Sequence, residues 1–124
     1  MRFPTLDEVI ACNELVREPD EASPSADDDD LDLVASALER ARAIKESVDA
    51  AATLLFEITS AQGFFEGNKR TAVLIARWFL TINTDRDPDD LIRPDDRELG
   101  ALLVRAARGE DVEHEVIELL RHRA

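Results

Sequence analysis

The sequence predicts an all-α fold, a compact single-domain bundle of about six helices spanning residues 1–124. Apolar residues recur every three to four positions along most of the chain, and no stretch shows the strict alternation typical of strands. Hydrophobic residues make up 44% of the 124 residues, which is enough for one buried core. Because Cys12 is the only cysteine, an internal disulfide is excluded.

The charge balance is strongly acidic, with 28 Asp and Glu against 15 Lys and Arg and a net charge of -13. We expect no nucleic-acid partner, because a phosphate backbone requires a basic surface. The apolar run at residues 71–82 is too short to cross a membrane and contains Arg77. With no secretory signal in the sequence, we expect a cytoplasmic protein without a membrane partner.

The first helix is predicted over residues 6–17. Thr5 and Glu8 have the spacing of a capping box at its start. One face carries residues at helical spacing, and all but the asparagine are apolar: Leu6, Val9, Ile10, Asn13 and Val16.

Residues 18–30 are predicted to form a mobile acidic loop, since they hold two prolines, two serines and the aspartate run 27–30. A calcium site is the alternative, but no glycine or closing glutamate stands at the required spacing. Asp30 is a candidate N-cap for the next helix.

Two further helices are predicted over residues 31–44 and 48–61, the second capped by Ser47. The fourth helix, residues 68–82, is the most apolar element and is predicted to be buried on all sides at the centre of the bundle. Arg77 lies seven positions after Arg70 and shares its face, so Arg77 either reaches a bound phosphate or extends to the surface.

Residues 83–93 are predicted to be turn-rich. A fifth helix over residues 96–108 follows, with Asp95 and Glu98 as its capping box and Gly109 as its C-terminal cap. The last helix covers residues 112–121 and is capped by Asp111. The two histidines, His114 and His122, are assigned to its surface or to a partner contact.

The loop before the fourth helix is the candidate functional site. A helix start carries unpaired N–H groups and partial positive charge, so it attracts anions, and Gly67 lets a ligand approach the backbone. Lys69 and Arg70 oppose the helix dipole unless an anion lies among them. Glu66 is a candidate ligand for Mg²⁺ beside phosphates. The alternative is an ordinary Gly-Asn turn, formed with Asn68, carrying surface cations.

Residues 62–72 resemble the signature loop of the Fic/Doc family in its Doc (death-on-curing toxin) form, His-Pro-Phe-x-(Asp/Asn/Glu)-Gly-Asn-Lys-Arg-Thr-Ala. Gln62 stands where the family has its histidine, and Gly63 stands where it has proline. The resemblance implies a Fic/Doc-like helical fold over most of the chain, with the central helix after the loop. The eight matching positions are Phe64, Glu66, Gly67, Asn68, Lys69, Arg70, Thr71 and Ala72.

The resemblance further implies that the loop binds a nucleoside triphosphate such as ATP together with Mg²⁺. It assigns Glu66 to the metal. It assigns the backbone of Gly67 and Asn68 to an anion-binding hole. It assigns Lys69 and Arg70 to the phosphates, with Lys69 also a catalytic residue.

Doc proteins are toxins of toxin–antitoxin pairs that phosphorylate elongation factor Tu and are inhibited by the antitoxin Phd, whereas most Fic enzymes transfer a nucleotide. The resemblance therefore implies a Phd-like antitoxin and a protein substrate such as elongation factor Tu. The family's histidine removes a proton from the attacking hydroxyl. Gln62 cannot titrate, so we expect transfer to be slower by ~10²–10⁴.

Two other interpretations stay open. One is a catalytically dead Fic fold that binds a nucleotide or a protein partner. The other is a helical interaction module in which the loop is only structural. The short connection at residues 45–47, where family members carry a longer flap that aligns the target, also puts target docking in question.

Overall fold

The computed structural model describes residues 1–17 and 29–124, which contain seven helices and no strand. The predicted all-α class is therefore confirmed for these residues. The prediction for residues 18–28 lies outside the described part of the chain. The helices are α1 Leu6–Val16, α2 Leu31–Arg42, α3 Ser47–Ala61, α4 Asn68–Asn83, α5 Pro88–Leu91, α6 Arg97–Ala107 and α7 Glu113–Arg123.

The helix beyond the predicted six is α5, a single turn within the segment that was predicted to be turn-rich. Asp87 caps it by accepting the Asp89 N–H at 2.9 Å, and Pro88 occupies its first turn, where a missing N–H costs nothing. The aspartates and proline of this segment do form a turn, as predicted, but it is one turn of helix.

Two predicted caps are confirmed. Thr5 and Glu8 form the reciprocal capping box, with the Glu8 N–H donating to Thr5 Oγ1 at 3.2 Å and the Thr5 N–H donating to Glu8 Oε1 at 3.0 Å. Asp30 caps α2 by accepting the Leu33 N–H at 3.4 Å.

Three other caps were predicted one residue away from the true position. Glu46, not Ser47, caps α3, since its carboxylate accepts the N–H groups of Val48 and Asp49 at 3.0 and 2.7 Å. Asp96, not Asp95, caps α6. Val112 holds the N-cap position of α7, but Asp111, the predicted cap one residue earlier, still accepts the Glu113 N–H at 3.4 Å. Several capping residue types stand side by side at these starts, so sequence alone did not separate them.

The bundle is built around α3, which packs against α2, α4, α6 and α7. Eleven of its 15 residues are buried. The next helix, α4, is also central, because it packs between α3 and α1. Its burial is one-sided rather than complete, since Leu74 and Ile82 on its outer face are 44% and 42% exposed.

Two aromatic residues near the site differ in burial. Phe64 is 2% exposed and anchors the loop in the core. Trp78 lies half-buried at the edge of the core, with the Arg2 guanidinium carbon 5.2 Å from its ring centroid. No helix among the described residues has the length and apolarity needed to span a bilayer.

Candidate anion-binding site at the start of α4

The loop between α3 and α4 is bounded by two residues in the left-handed backbone region. Gln62 ends α3 with φ 50°, and Gly67 precedes α4 with φ 77°. A side chain at Gly67 would be strained by that angle, and its Cβ would also lie 3.1 Å from Val16 Cγ2. Glycine therefore lets the loop turn sharply into α4 while passing close to α1.

Asn68 holds this loop closed with both ends of its buried side-chain amide. Its Oδ1 accepts the Phe64 N–H at 3.0 Å, and its Nδ2 donates to the Phe64 carbonyl at 2.8 Å. No side chain caps the start of α4. The helix start therefore keeps the polarity that attracts an anion.

The loop and the first turn of α4 enclose a hollow of about 230 Å³. Cavities that bury whole small molecules measure roughly 300–1,000 Å³, so this hollow suits phosphate groups rather than an entire nucleotide. It brings together five of the residues singled out in the sequence. Its lining residues are Val16, Glu66, Gly67, Asn68, Lys69 and Arg70.

The charged groups of the hollow differ in their partners. Glu66 Oε1 is buried and accepts no hydrogen bond from residues 1–17 and 29–124. The exposed Lys69 amine makes no hydrogen bond or ion pair within the same residues. Arg70 Nη1 donates to the Val16 carbonyl at 3.1 Å. An unpaired carboxylate oxygen beside a lysine and a helix start is an arrangement that a metal–phosphate group would satisfy.

Two predicted site residues do not line the hollow. Gln62 is exposed, and its Nε2 donates to the Thr59 carbonyl at 2.6 Å, turning back over the end of α3. Arg77 Nη1 donates to the Ile92 carbonyl at 2.7 Å, and its Nη2 pairs with Asp89. The structure thus places Arg77 as a brace between α4 and the α5 region.

The two histidines of the sequence do not lie at the hollow. His114 and His122 are both exposed on α7, and neither lines the hollow.

Sequence reasoning missed Asn13 as a support of the site. This buried asparagine of α1 donates from Nδ2 to the Glu66 carbonyl at 2.9 Å and to Thr71 Oγ1 at 3.2 Å. Its Oδ1 accepts the Arg17 Nε–H at 2.5 Å. The signal that could have found it was a polar amide on the otherwise apolar stripe of the first helix.

The second missed support is an ion pair between Arg17 and Asp29, whose side chains are only 15% and 6% exposed. Asp29 Oδ1 also accepts the Phe65 N–H at 2.9 Å. The Arg17 guanidinium carbon lies 5.9 Å from the Phe64 ring centroid. These contacts join the end of α1 and the approach to α2 to the loop.

The loop is also bonded to the residue that caps α2, since the Asp30 N–H donates to the Gly63 carbonyl at 2.6 Å.

The residues of the hollow could hold a metal ion only if phosphates supplied some of its ligands. Within the described residues no group of three or more His, Cys, Asp or Glu side chains converges as a metal site. Glu66 would be the single side-chain ligand at the hollow. Mg²⁺ is commonly held by one or two carboxylates with substrate phosphates and water completing its coordination.

No curated protein and no solved structure shows significant similarity to the chain. A family model described as the Fic/DOC family matches residues 5–80, which is more than half of the chain. The matched range runs from the cap of α1 into α4 and includes the whole loop, whereas α5, α6 and α7 lie outside it. The chain belongs to the Fic/DOC family.

Proposed function

We propose that the start of α4 binds the phosphates of a nucleoside triphosphate, with ATP as the first candidate, together with Mg²⁺. The observation that carries the proposal concerns Glu66, which lines the same hollow as Lys69 and whose buried Oε1 accepts no hydrogen bond from residues 1–17 and 29–124. A buried carboxylate oxygen without a partner is costly. A divalent cation would remove that cost and would draw phosphate oxygens to the helix start.

All residues of the hollow except Val16 have a role in this proposal. Glu66 would hold Mg²⁺, which supplies positive charge to neutralise the phosphates when it is bound. The backbone N–H groups that follow Gly67 orient phosphate oxygens. Lys69 and Arg70 add charge-assisted contacts to the phosphates. Asn68 shapes the loop through Phe64, so its side chain acts on the ligand only indirectly.

The proposal extends to the biological role. The chain would be a Doc-like, toxin-type protein of a toxin–antitoxin system in the cytoplasm, derived from a transferase that phosphorylates or nucleotidylates a protein hydroxyl. A Phd-like antitoxin and elongation factor Tu are the partners that this ancestry implies. Transfer is impaired, because Gln62 cannot accept the hydroxyl proton, and loss of a general base costs ~10²–10⁴ in rate.

A second candidate function is nucleotide or protein binding without any transfer. The observation that favours it is the hydrogen bond from Gln62 to the Thr59 carbonyl, which directs the side chain away from the hollow. In that case the protein keeps the phosphate-binding loop but no longer catalyses transfer.

Nucleotide binding is tested by isothermal titration with Mg²⁺–ATP. We expect Lys69→Ala to weaken binding about tenfold, the value of one charge-assisted contact. Lys45→Ala is the matched control, because Lys45 is the only other lysine and is also exposed. Absence of heat with the unaltered protein, or equal affinity of Lys69→Ala and Lys45→Ala, would contradict the proposal.

The metal role is tested by repeating the titration with Mg²⁺ and with EDTA. Glu66→Gln keeps the shape of the side chain and removes its charge, so we expect the Mg²⁺-dependent part of the ATP affinity to disappear. Glu14→Gln, at an exposed position of α1, should keep it. If Glu66→Gln responds to Mg²⁺ as the unaltered protein does, Glu66 is not the ligand.

The transfer step is tested with Gln62→His, which restores the family's base. Histidine is among the residues that accept the left-handed backbone at this position. We expect the variant to phosphorylate or nucleotidylate elongation factor Tu in vitro and to slow bacterial growth. If it does neither, the weakened-toxin role is rejected and the binding module remains.

A further inference from the structure

A buried amide of α1 lies directly behind the hollow. Asn13 is 1% exposed. At this point α1 passes so close to the loop that a Cβ added at Gly67 would lie 3.2 Å from Asn13 Nδ2. Because a buried amide is costly unless its polar groups are hydrogen-bonded, the partners of Asn13 indicate what this residue does.

The Asn13 amide nitrogen is bonded to both halves of the hollow. It donates to the Glu66 carbonyl at 2.9 Å and to Thr71 Oγ1 at 3.2 Å, which uses both of its hydrogens. Glu66 carries the candidate metal ligand. Thr71 lies in the first turn of α4, where backbone N–H groups are the candidate phosphate donors. Asn13 therefore fixes the spacing between the carboxylate side and the phosphate side of the hollow.

The orientation of this amide is set by Arg17. A guanidinium group has donors and no acceptor, so Arg17 Nε, 2.5 Å away, requires the oxygen of Asn13 on its side. Arg17 is itself held by its ion pair with Asp29. A flipped amide would direct the Asn13 oxygen at the Glu66 carbonyl, where two acceptors would face each other. Arg17 thus keeps the nitrogen of Asn13 toward the hollow.

The spacing that Asn13 fixes is one to which Mg²⁺ is sensitive. This ion demands near-ideal octahedral geometry with ligands at about 2.0–2.1 Å, so a small displacement of one ligand weakens binding. Residues that hold a metal ligand in place through hydrogen bonds typically change metal affinity about 10–100-fold when they are replaced. Asn13 is not among the residues that line the hollow, so it acts only through Glu66 and the start of α4.

We propose that Asn13 is a positioning residue through which α1 sets the strength of the Mg²⁺ contribution to nucleotide binding. Arg17 keeps the amide of Asn13 in the orientation that this role needs. The inference rests on the proposed binding of phosphates and Mg²⁺ at the start of α4. It adds that the metal ligand is placed by a helix that lies more than 50 residues away in the sequence.

The test measures ATP affinity by isothermal titration at a series of Mg²⁺ concentrations and in EDTA. Asn13→Leu has a side chain of similar size and removes the amide. We expect it to raise the Mg²⁺ concentration that gives half of the metal-dependent gain in affinity by about tenfold or more. The affinity in EDTA should be nearly unchanged, because Lys69 and the N–H groups of α4 remain.

A second variant, Thr71→Val, keeps the shape of that side chain and removes one of the two acceptors of Asn13. It should raise the Mg²⁺ requirement in the same direction but by less, because the bond to Glu66 remains. This variant also carries the test if Asn13→Leu does not fold.

Val9→Ala is the control for a purely structural effect. Val9 is a fully buried residue of α1, one turn before Asn13, and does not line the hollow. Its truncation should lower the free energy of unfolding, measured with urea, and leave the Mg²⁺ requirement as it is in the unaltered protein.

The outcomes separate the inference from the proposed function. If Glu66→Gln abolishes the Mg²⁺ dependence but Asn13→Leu and Thr71→Val leave the Mg²⁺ requirement unchanged, the inference is overturned and the proposed function stands. The inference is also overturned if Val9→Ala shifts the requirement as much, or if Asn13→Leu loses as much affinity in EDTA as with Mg²⁺. If ATP binding by the unaltered protein does not depend on Mg²⁺, the metal part of the proposed function fails and the inference fails with it.

Discussion

The side-chain amide of Asn13 donates to the backbone carbonyl of Glu66 at 2.9 Å across 53 residues of sequence. This bond fixes the loop from α1 at Glu66, which lines the hollow. Asn13 also accepts from Arg17, which pairs with Asp29, and Asp29 accepts the Phe65 N–H. The site is therefore held by a chain of polar contacts, and removing any member should loosen the loop.

The Asp29 contact gives the first prediction. Asp29→Ala leaves the mostly buried Arg17 guanidinium without its charge partner and the Phe65 N–H without its acceptor. We expect the free energy of unfolding to fall by about 3 kcal/mol, measured by urea denaturation, because a broken buried pair leaves an uncompensated charge. Glu14→Ala, at an exposed site, should change it by less than about 0.5 kcal/mol. A loss for Asp29→Ala no larger than that of Glu14→Ala would rule out a structural role.

Gly63 gives the second prediction. A Cβ at this position would lie 2.5 Å from Val34 Cγ2 and 2.8 Å from the Asp30 carbonyl oxygen, since α2 begins directly against the loop. We expect Gly63→Ala to lower the melting temperature, at a cost of about 1–3 kcal/mol from overpacking. Gly100→Ala, in the open on α6, should instead stabilise by about 0.5–1 kcal/mol. Equal effects of the two substitutions would contradict the close approach.

Glu113 gives the third prediction, a dependence of stability on pH. Burial raises the pKa of Glu113 above its usual 4.5. The neighbouring Glu57 raises this pKa further, both through a side-chain hydrogen bond with Glu113 and through its negative charge. The folded state therefore favours the protonated acid, so this contribution to stability is complete below the usual pKa and is lost as pH rises through the folded pKa. Glu113→Gln should be more stable than the unaltered protein near neutral pH, with the advantage vanishing in acid.

Urea unfolding at a series of pH values measures this difference. Glu115→Gln is the control, because Glu115 is an exposed acid in the first turn of the same helix. If the free energy of unfolding depends on pH in the same way for Glu113→Gln and the unaltered protein, the folded state does not disfavour the Glu113 carboxylate.

Asp49 gives the fourth prediction, in which stability changes with pH in the opposite direction. Its two carboxylate oxygens accept from Arg121 Nε and Nη2 at 2.8 and 2.7 Å, joining α3 to α7. The hydrogen bond from Arg121 lowers the pKa of Asp49 below its usual 3.8, against a smaller upward effect of burial. The folded state favours the carboxylate, so this stabilisation is present above the usual pKa and is lost as pH falls through the folded pKa.

We therefore expect Asp49→Asn to be less stable than the unaltered protein at neutral pH and equal to it in strong acid, by urea unfolding. Asp7→Asn controls for the helix start, because Asp7 stands in the first turn of α1 and forms no ion pair within the described residues. If the deficit of Asp49→Asn persists in strong acid, the pair with Arg121 is not its source.

The sequence by itself determined the helices and the loop, because the residues that start and end them are close neighbours in the chain. Thr5 and Glu8 are three residues apart and start α1 between them. Gly67 ends the loop, and α4 begins at the next residue, as the pattern indicated. Caps, turns and helical periodicity are local interactions, so these residues placed the helices and the loop without knowledge of the packing.

Only the tertiary structure decided which side chains share the site. Asn13 reaches Glu66, Asp29 reaches Phe65, and Arg77 turns away toward Ile92. Periodicity gives the face of a helix on which a residue lies, but not the neighbour that the face meets. That neighbour depends on how the helices pack around α3, because contacts between distant parts of the chain form only when the core closes.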